Sequence, residues 1–460
     1  MDVVVVGAGP TGLVAAVALA RRGHRVALVD DDGGPTGSID GDRWARRGVM
    51  QFHHPHAFRS QVVDVLRTEI PEVLDALLAR GAEPAAPSDG TDPAPTRPGD
   101  PLPPGTGLRC RRMVVEQELR RVAEREPGVT PVRGRADAVL DERGRATGVR
   151  VGDRRLDAGL VVVATGRAGR LDDHLRARGE SADCGTAYVS RQYRLRPGAS
   201  PGPMTMPIGA VAMHDGYTAI AFPHDAGTFS TLIARPPADH RLRGLRHEPA
   251  WDAAVRAIPL LAAWTDPERA VPLTPVLPGG RLRNTYRGQL DDEGRLPLPG
   301  FVAVGDAVCT TNPVAGRGIA TSLMQVERLV ALVEEHGDDH AATALALDAW
   351  CEAAIRPWFT DHVATDAAQS ERWAGRDVDP TRPPTSDLVV AAIAADPSLL
   401  AVAGPYLVMA ALPDSLAAVH PRVQEIYASG WRPPPTEGPT RDELAAVVAS
   451  ASPDAATALA

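Results

Sequence analysis

The 460-residue sequence contains no lysine: all 49 of its cationic side chains are arginine. That absence excludes a lysine Schiff base, a lysine general acid and a phosphate-binding P-loop lysine. Asparagine is nearly absent too, with Asn284 and Asn312 its two occurrences, a skew that matches GC-rich coding bias. The four cysteines, Cys110, Cys184, Cys309 and Cys351, form no C-x-x-C pair. Neither a disulfide scaffold nor a zinc site is indicated, and a reducing cytoplasm is the expected compartment. No apolar run is long enough to span a bilayer, and no basic segment precedes the first apolar stretch. The net charge of -9 comes with no basic tail or run, so nucleic acid and anionic membrane surfaces are not expected partners.

What is present reads as an ordinary globular chain, 44% hydrophobic and 23% charged. Residues 2–30 alternate strand, glycine turn, helix and strand, which is a βαβ unit. A helix is expected over 57–80 with a break at Pro71. From Pro84 to Gly107, twelve of twenty-four residues are Pro or Gly, which predicts a long loop without regular structure. An amphipathic helix follows at RRMVVEQELRR, a hairpin turn at Glu142–Gly144 and a buried strand at 160–164. Segments between 186 and 234 alternate apolar and polar residues between Pro and Gly turns, as in an antiparallel sheet. A buried strand returns at Phe301, a helix runs over 319–335, and alanine-rich helices follow Asp366 before a weak tail beyond Arg432. The fold class is therefore α/β, with a parallel sheet and a second, antiparallel one.

Gly7-x-Gly9-x-x-Gly12, enclosing Pro10 and Thr11, lies between a strand and a helix, with Asp30 ending the next strand. Glycines at these positions permit a tight turn, a close approach of backbone to a pyrophosphate and close helix packing. The helix N-terminus adds partial positive charge, and Asp30 suits ribose hydroxyls. This fingerprint does not separate FAD from NAD.

A second pattern lies at 305–325. A buried strand ends at Gly305-Asp306, and Pro313-x-x-Gly316-x-Gly318 leads into a helix. It resembles the second FAD signature of the flavoprotein hydroxylase superfamily. Two further stretches, Arg46 to Phe58 and RRMVVEQELRR, are similar to segments of its bacterial natural-product oxygenase and epoxidase-like branch. The resemblance implies that Asp306 binds the ribityl chain or pyrophosphate edge of FAD and that Pro313 lies beside the isoalloxazine. Backbone N–H groups from Gly316 to Ile319 would stabilise charge on the reduced flavin. It further implies Arg46 or Arg47 at the pyrophosphate, Gln51 near the flavin and Arg112 on FAD. Ala320 stands where the family usually has asparagine, and Val115 replaces its leucine.

The same resemblance implies a discontinuous Rossmann-like FAD-binding domain of residues 1–80, 105–185 and 281–365. A substrate domain at 186–280 with loop 84–107 and a helical C-terminal region at 366–460 complete the expected division. The implied function is an FAD-dependent monooxygenase inserting one oxygen atom from O2 into a hydrophobic natural-product intermediate. Thr165 stands where many hydroxylases have an aspartate tied to NAD(P)H contacts, and no second nucleotide fingerprint exists. Electrons are thus expected from NAD(P)H, either docking transiently or acting through a separate flavin reductase. The absent lysine and W-x-W-x-I-P motif argue against a flavin halogenase. A reductase of the geranylgeranyl reductase type and a non-catalytic FAD-fold carrier are the alternatives. Arg317, between the two later glycines, is the candidate catalytic side chain. His53, His54 and His56 have Pro55 among them and no carboxylate at ligand spacing, so no metal site is expected. His214, His224, Tyr188, Tyr193 and Tyr217 are expected to line the substrate cavity.

Overall fold

A computed structural model describes residues 1–32, 34, 44–46, 48–56, 58–86 and 102–452. Five parallel strands form the first sheet, in the order Phe301–Ala303, Leu160–Val163, Asp2–Val6, Arg25–Asp30, Val129–Arg133. Its two central strands, DVVVV and LVVV, are almost wholly buried, which is why they read as continuous valine runs rather than alternating ones. The helices Pro10–Arg21, Arg112–Ala123 and Gly318–His336 belong to the same core and close over the sheet. The helix expected over 57–80 is two helices, Ser60–Glu69 and Pro71–Ala79, with Pro71 at the first position of the second.

The second sheet is antiparallel and contains Ala187–Leu195, Ala210–His214, Tyr217–Pro223 and Thr228–Arg235. Its register separates two faces. Val189, Tyr193, Ala219, Phe229 and Ile233 pack against helices Glu248–Ala257 and Pro259–Thr265, with Trp251 and Trp264 fully buried. Tyr188, Ile220, Leu232 and Ala234 form the other face, with Val211 and Phe222 packed beside them.

Two expectations are corrected. The loop set at Pro84–Gly107 is closed at its base, where Glu83–Ala85 pairs with Gly107–Arg109; residues 87–101 lie outside the described residues. Composition missed this because a three-residue pairing needs only backbone groups, which Pro84 and Gly107 still supply in part. The tail beyond Arg432 includes the helix Arg441–Ser450, started by a capping box between Thr440 and Glu443. Its Leu444 and Val448 enter the core behind the antiparallel sheet, beside Trp251 and Leu245. The alanines that weaken its periodicity also let it pack closely.

Leu444 is fully buried. Replacing it with alanine leaves a cavity and is expected to cost about 2–5 kcal/mol, read as a lower urea midpoint at constant slope. A change within experimental error would mean that the last helix is not part of the folded unit.

Candidate active site

The first glycine loop is shaped by contacts that admit no side chain. A Cβ on Gly12 would sit 1.8 Å from the Gly7 carbonyl oxygen, and one on Gly7, whose φ is +106°, would meet the Ala164 carbonyl. The helix Pro10–Arg21 thereby starts directly against the ends of two parallel strands, and no side chain caps it. The second signature reaches the same place. A Cβ on Gly305 would lie 2.8 Å from the Thr11 methyl, so the Gly305-Asp306 turn abuts the N-terminus of that helix. Sequence positions some three hundred apart thus share one locus, as their resemblance to paired FAD signatures implies.

Charge is concentrated around it. Asp30 accepts hydrogen bonds from the Ala8 N–H and, at 2.7 Å, from the Asp32 N–H. Arg46 donates to Asp30 (3.0 Å), Asp32 (3.1 Å) and Glu116 (2.9 Å), and to the Ala8 carbonyl (3.0 Å). Arg120 also reaches the Ala8 carbonyl, at 2.9 Å. Arg46 therefore stands at the glycine loop but inside a cage of three carboxylates; Arg47 lies outside the described residues. Arg112 binds Glu116 through Nε at 2.6 Å and lies close enough to Asp306 and His56 to influence both. Burial pushes the Asp306 carboxyl up, and the Arg112 and Arg167 guanidiniums oppose that shift. Thr165 Oγ1 is buried there with no hydrogen-bond partner.

The histidine segment connects this locus to the antiparallel sheet. His54 Nδ1 bonds the Ser190 hydroxyl at 2.6 Å, and its ring meets Tyr188 edge-on at 4.8 Å between centroids. Gln51 points at the Tyr188 hydroxyl, 3.4 Å away, and Gln192 donates to the His53 carbonyl at 2.7 Å. His224 bonds Ser230 at 2.8 Å, while its neighbour Asp225 pairs with Arg111 at 2.7 Å. Burial lowers His54 and His224 to about 4 and His56 to about 3, so all three are neutral imidazoles at pH 7. No group of three or more metal-ligating side chains occurs among the described residues.

Of the five cavity candidates, Tyr188 lies on the sheet face turned to this locus, and His224 stands at its edge. Tyr193 and Tyr217 lie in the core on the opposite face. Tyr193 accepts from Trp251 and stacks on Phe229, Tyr217 donates to the Pro439 carbonyl, and His214 stacks on Tyr217. Alternation along each strand divides these residues between the two faces, and helices Glu248–Ala257, Pro259–Thr265 and Arg441–Ser450 cover the face that holds Tyr193 and Tyr217.

Arg317, the candidate catalytic side chain, lies among the C-terminal helices. Its guanidinium is sandwiched between Trp358 and Tyr406, 4.6 and 4.7 Å from the ring centroids, and pairs with Asp361 at 3.0 Å. It is a buried cation serving the C-terminal helices, and its Nε is unpaired. Pro313 starts a short 3-10 turn, Gly316 is left-handed, Gly318 begins its helix with open space at Cβ, and Ile319 packs partly into the main core. Residues that sequence reasoning passed over are Asp366, whose carboxylate holds Asn284 and Asn312, and the Arg111–Asp225 pair. The scarcity of asparagine was the available signal for the former.

Residues 2–169 match the family model of FAD dependent oxidoreductases. Over that stretch the chain is similar to enzymes of the FAD-dependent oxidoreductase type. Solved structures agree at the level of fold. PqsL from Pseudomonas aeruginosa, described as a probable FAD-dependent monooxygenase, is 18% identical with a TM-score of 0.58, covering 82% of this chain and 98% of that one. The flavin-dependent brominase Bmp2 is 14% identical with a TM-score of 0.63, covering 94% and 100%. The myxobacterial chondrochloren halogenase CndH is 19% identical with a TM-score of 0.57, covering 96% and 98%. The residues present fit FAD: a side-chain-free glycine loop at a helix start, an acidic strand end, Asp306 near two arginines, and a Thr165 hydroxyl without a partner among the described residues converge on one locus.

The three neutral histidines make stability acid-sensitive. Between pH 6.5 and about 4 the unfolded chain binds protons at these positions and the folded protein does not, so unfolding free energy falls as pH falls. Buried carboxyls that are pushed up, Asp306 and Asp366 among them, the latter to about 6, act in the opposite sense. The variant His224→Gln should lose about one proton from the slope of unfolding free energy between pH 6.5 and 4.5. Urea unfolding at several pH values measures this, and an unchanged slope would contradict the buried neutral assignment.

Proposed function

We propose that the protein is an FAD-dependent monooxygenase that inserts one oxygen atom of O2, by hydroxylation or epoxidation, into a hydrophobic natural-product intermediate. The observation that supports this most is the chemistry of the sheet face turned toward the FAD recess. Ile220, Leu232, Ala234, Val211 and Phe222 make it apolar, and its polar members Ser190, Gln192 and Ser230 are already engaged by the histidine segment or His224. Bound FAD, once reduced, supplies the electrons that divide dioxygen between product and water. The protein's own residues position, desolvate and hold protons. The apolar face would exclude water, the Gly316–Ile319 amides at the start of the helix Gly318–His336 would offer partial positive charge to the flavin, and Arg112 and Asp306 would hold its polar chain. His54, held neutral and bonded to Ser190 through Nδ1, offers Nε2 for a hydrogen bond to substrate without bringing a buried charge into the site.

Exposed methionines Met50, Met204, Met206 and Met213 are consistent with an adaptable apolar entry suited to a bulky substrate. Electrons come from NAD(P)H, directly or through a separate flavin reductase. Thr165 favours the reductase route, because an uncharged side chain stands where the resemblance expects the aspartate. Among the described residues no helix is long and apolar enough to cross a membrane, and a cytoplasmic location accords with four free, buried thiols.

Two measurements test the proposal. Anaerobic mixing of the FAD-loaded protein with NADPH or NADH should bleach the flavin slowly alone and rapidly once a flavin reductase is added. Fast bleaching by the nicotinamide alone would overturn the two-component reading. With ¹⁸O2, the product of turnover on an alkene or electron-rich ring should carry one labelled atom. Product formed equally well without oxygen would replace the monooxygenase with a reductase.

A further inference from the structure

Asp366, on the helix Arg356–Trp373, is a buried carboxylate that forms no ion pair among the described residues. One oxygen accepts from Asn284 Nδ2 at 2.7 Å and the other from Asn312 Nδ2 at 2.8 Å. Asn284 Oδ1 accepts from the Asn312 backbone N–H at 2.7 Å, which closes a ring of three residues. Asn312 Oδ1 in turn accepts from the Val314 N–H at 3.2 Å. Both asparagines of the entire chain are therefore spent on one carboxylate. Asn312 is also the residue from which the Pro313–Gly318 loop departs.

The choice of groups is specific. An amide side chain offers both a donor and an acceptor end, and either way round is similar in shape. A carboxylate accepts only, so two amides facing it must both present NH2. Asn312 must then turn its oxygen to Val314, and Asn284 its oxygen to the Asn312 backbone. Nothing cationic offsets the buried charge, which burial makes costly and which raises Asp366 to about 6. A hydroxyl or a well-packed apolar residue would fill the volume at lower cost, so the carboxylate is explained by the geometry it dictates. The far side of the loop is held separately, by Arg59 donating to the Ala315 carbonyl at 2.6 Å.

We propose that Asp366 is the positioning residue of the Pro313–Gly318 loop, acting through Asn284 and Asn312 to fix the backbone that the isoalloxazine meets. The inference rests on the FAD reading above. It assigns Asp366 no contact with FAD; its effect is transmitted by Asn312.

The test uses the FAD-loaded protein and two variants. Asp366→Asn turns an NH2 toward one of the asparagines and opens the ring. The double change Asp366→Asn with Asn312→Asp exchanges donor and acceptor while keeping every bond of the ring possible. The single variant is expected to bind oxidised FAD about tenfold more weakly, and to change the ratio of reduced to oxidised affinity about tenfold, a shift of about 30 mV in the two-electron potential. The double variant should recover oxidised-FAD affinity to within about threefold of the parent. Leu444→Ala, a remote destabilising change, should lower thermal stability and move neither flavin readout. If Asp366→Asn lowers stability alone, leaving affinity and potential unchanged, Asp366 is merely structural and the inference is overturned. Should that variant fail to fold, Asn312→Ser opens the ring at its loop apex and is judged by the same two outcomes. Wild-type protein that binds no FAD would sink the FAD reading itself, whereas FAD-binding wild type with an unaffected variant sinks only the role of Asp366.

Discussion

The approach of Gly12 to the Gly7 carbonyl governs the rest of this molecule. At 1.8 Å from a would-be Cβ, that contact brings a helix N-terminus to the end of the central strand with no side chain between. Ala164 at the end of the neighbouring strand and Gly305 at the end of the next then close on the same point, because parallel strands in register bring their carboxyl ends to one edge. Backbone amides and a helix dipole are thus gathered where the chain is barest. The charged side chains that surround the locus come from three separate stretches: Asp30 from a strand end, Arg46 from the segment after it, and Arg112 and Glu116 from one helix.

Much of this was legible because it is local. Valine runs identify the buried parallel strands, glycine spacing identifies the two turns, and alternation identifies the antiparallel strands. What could not be read were relations between distant segments. Tyr193 and Tyr217 carry the same alternating pattern whichever side of their sheet faces the cavity, and what covers their side comes from later segments, the helices Glu248–Ala257 and Pro259–Thr265 and the distant, alanine-rich Arg441–Ser450. Arg317 sits amid a strong motif, yet its partners Asp361, Trp358 and Tyr406 come from helices with no motif at all.

The polar groups of the site divide by how their burial is compensated. Arg111 and Asp225 neutralise each other at 2.7 Å, and Arg46 answers three carboxylates. The histidines avoid the cost by staying neutral. Asp366 does neither, and it is sustained by neutral donors, the amides of Asn284 and Asn312 and the Cys184 thiol. Compensation by charge, by neutrality and by hydrogen bonding leaves few ionisable groups free near the recess. That suits chemistry in which the cofactor, rather than a side-chain acid–base pair, carries the reaction.

The helix Arg441–Ser450 has a bearing on how the protein is made. The last strands of the antiparallel sheet end at Gly279 and its covering helices by Thr265, but the core behind it lacks Leu444 and Val448 until the helix Arg441–Ser450 has been added. On a chain made from its N-terminus, the back of that sheet stays partly bare until the stretch between Gly279 and Arg441 has been added, so the sheet is finished by a helix it cannot recruit early.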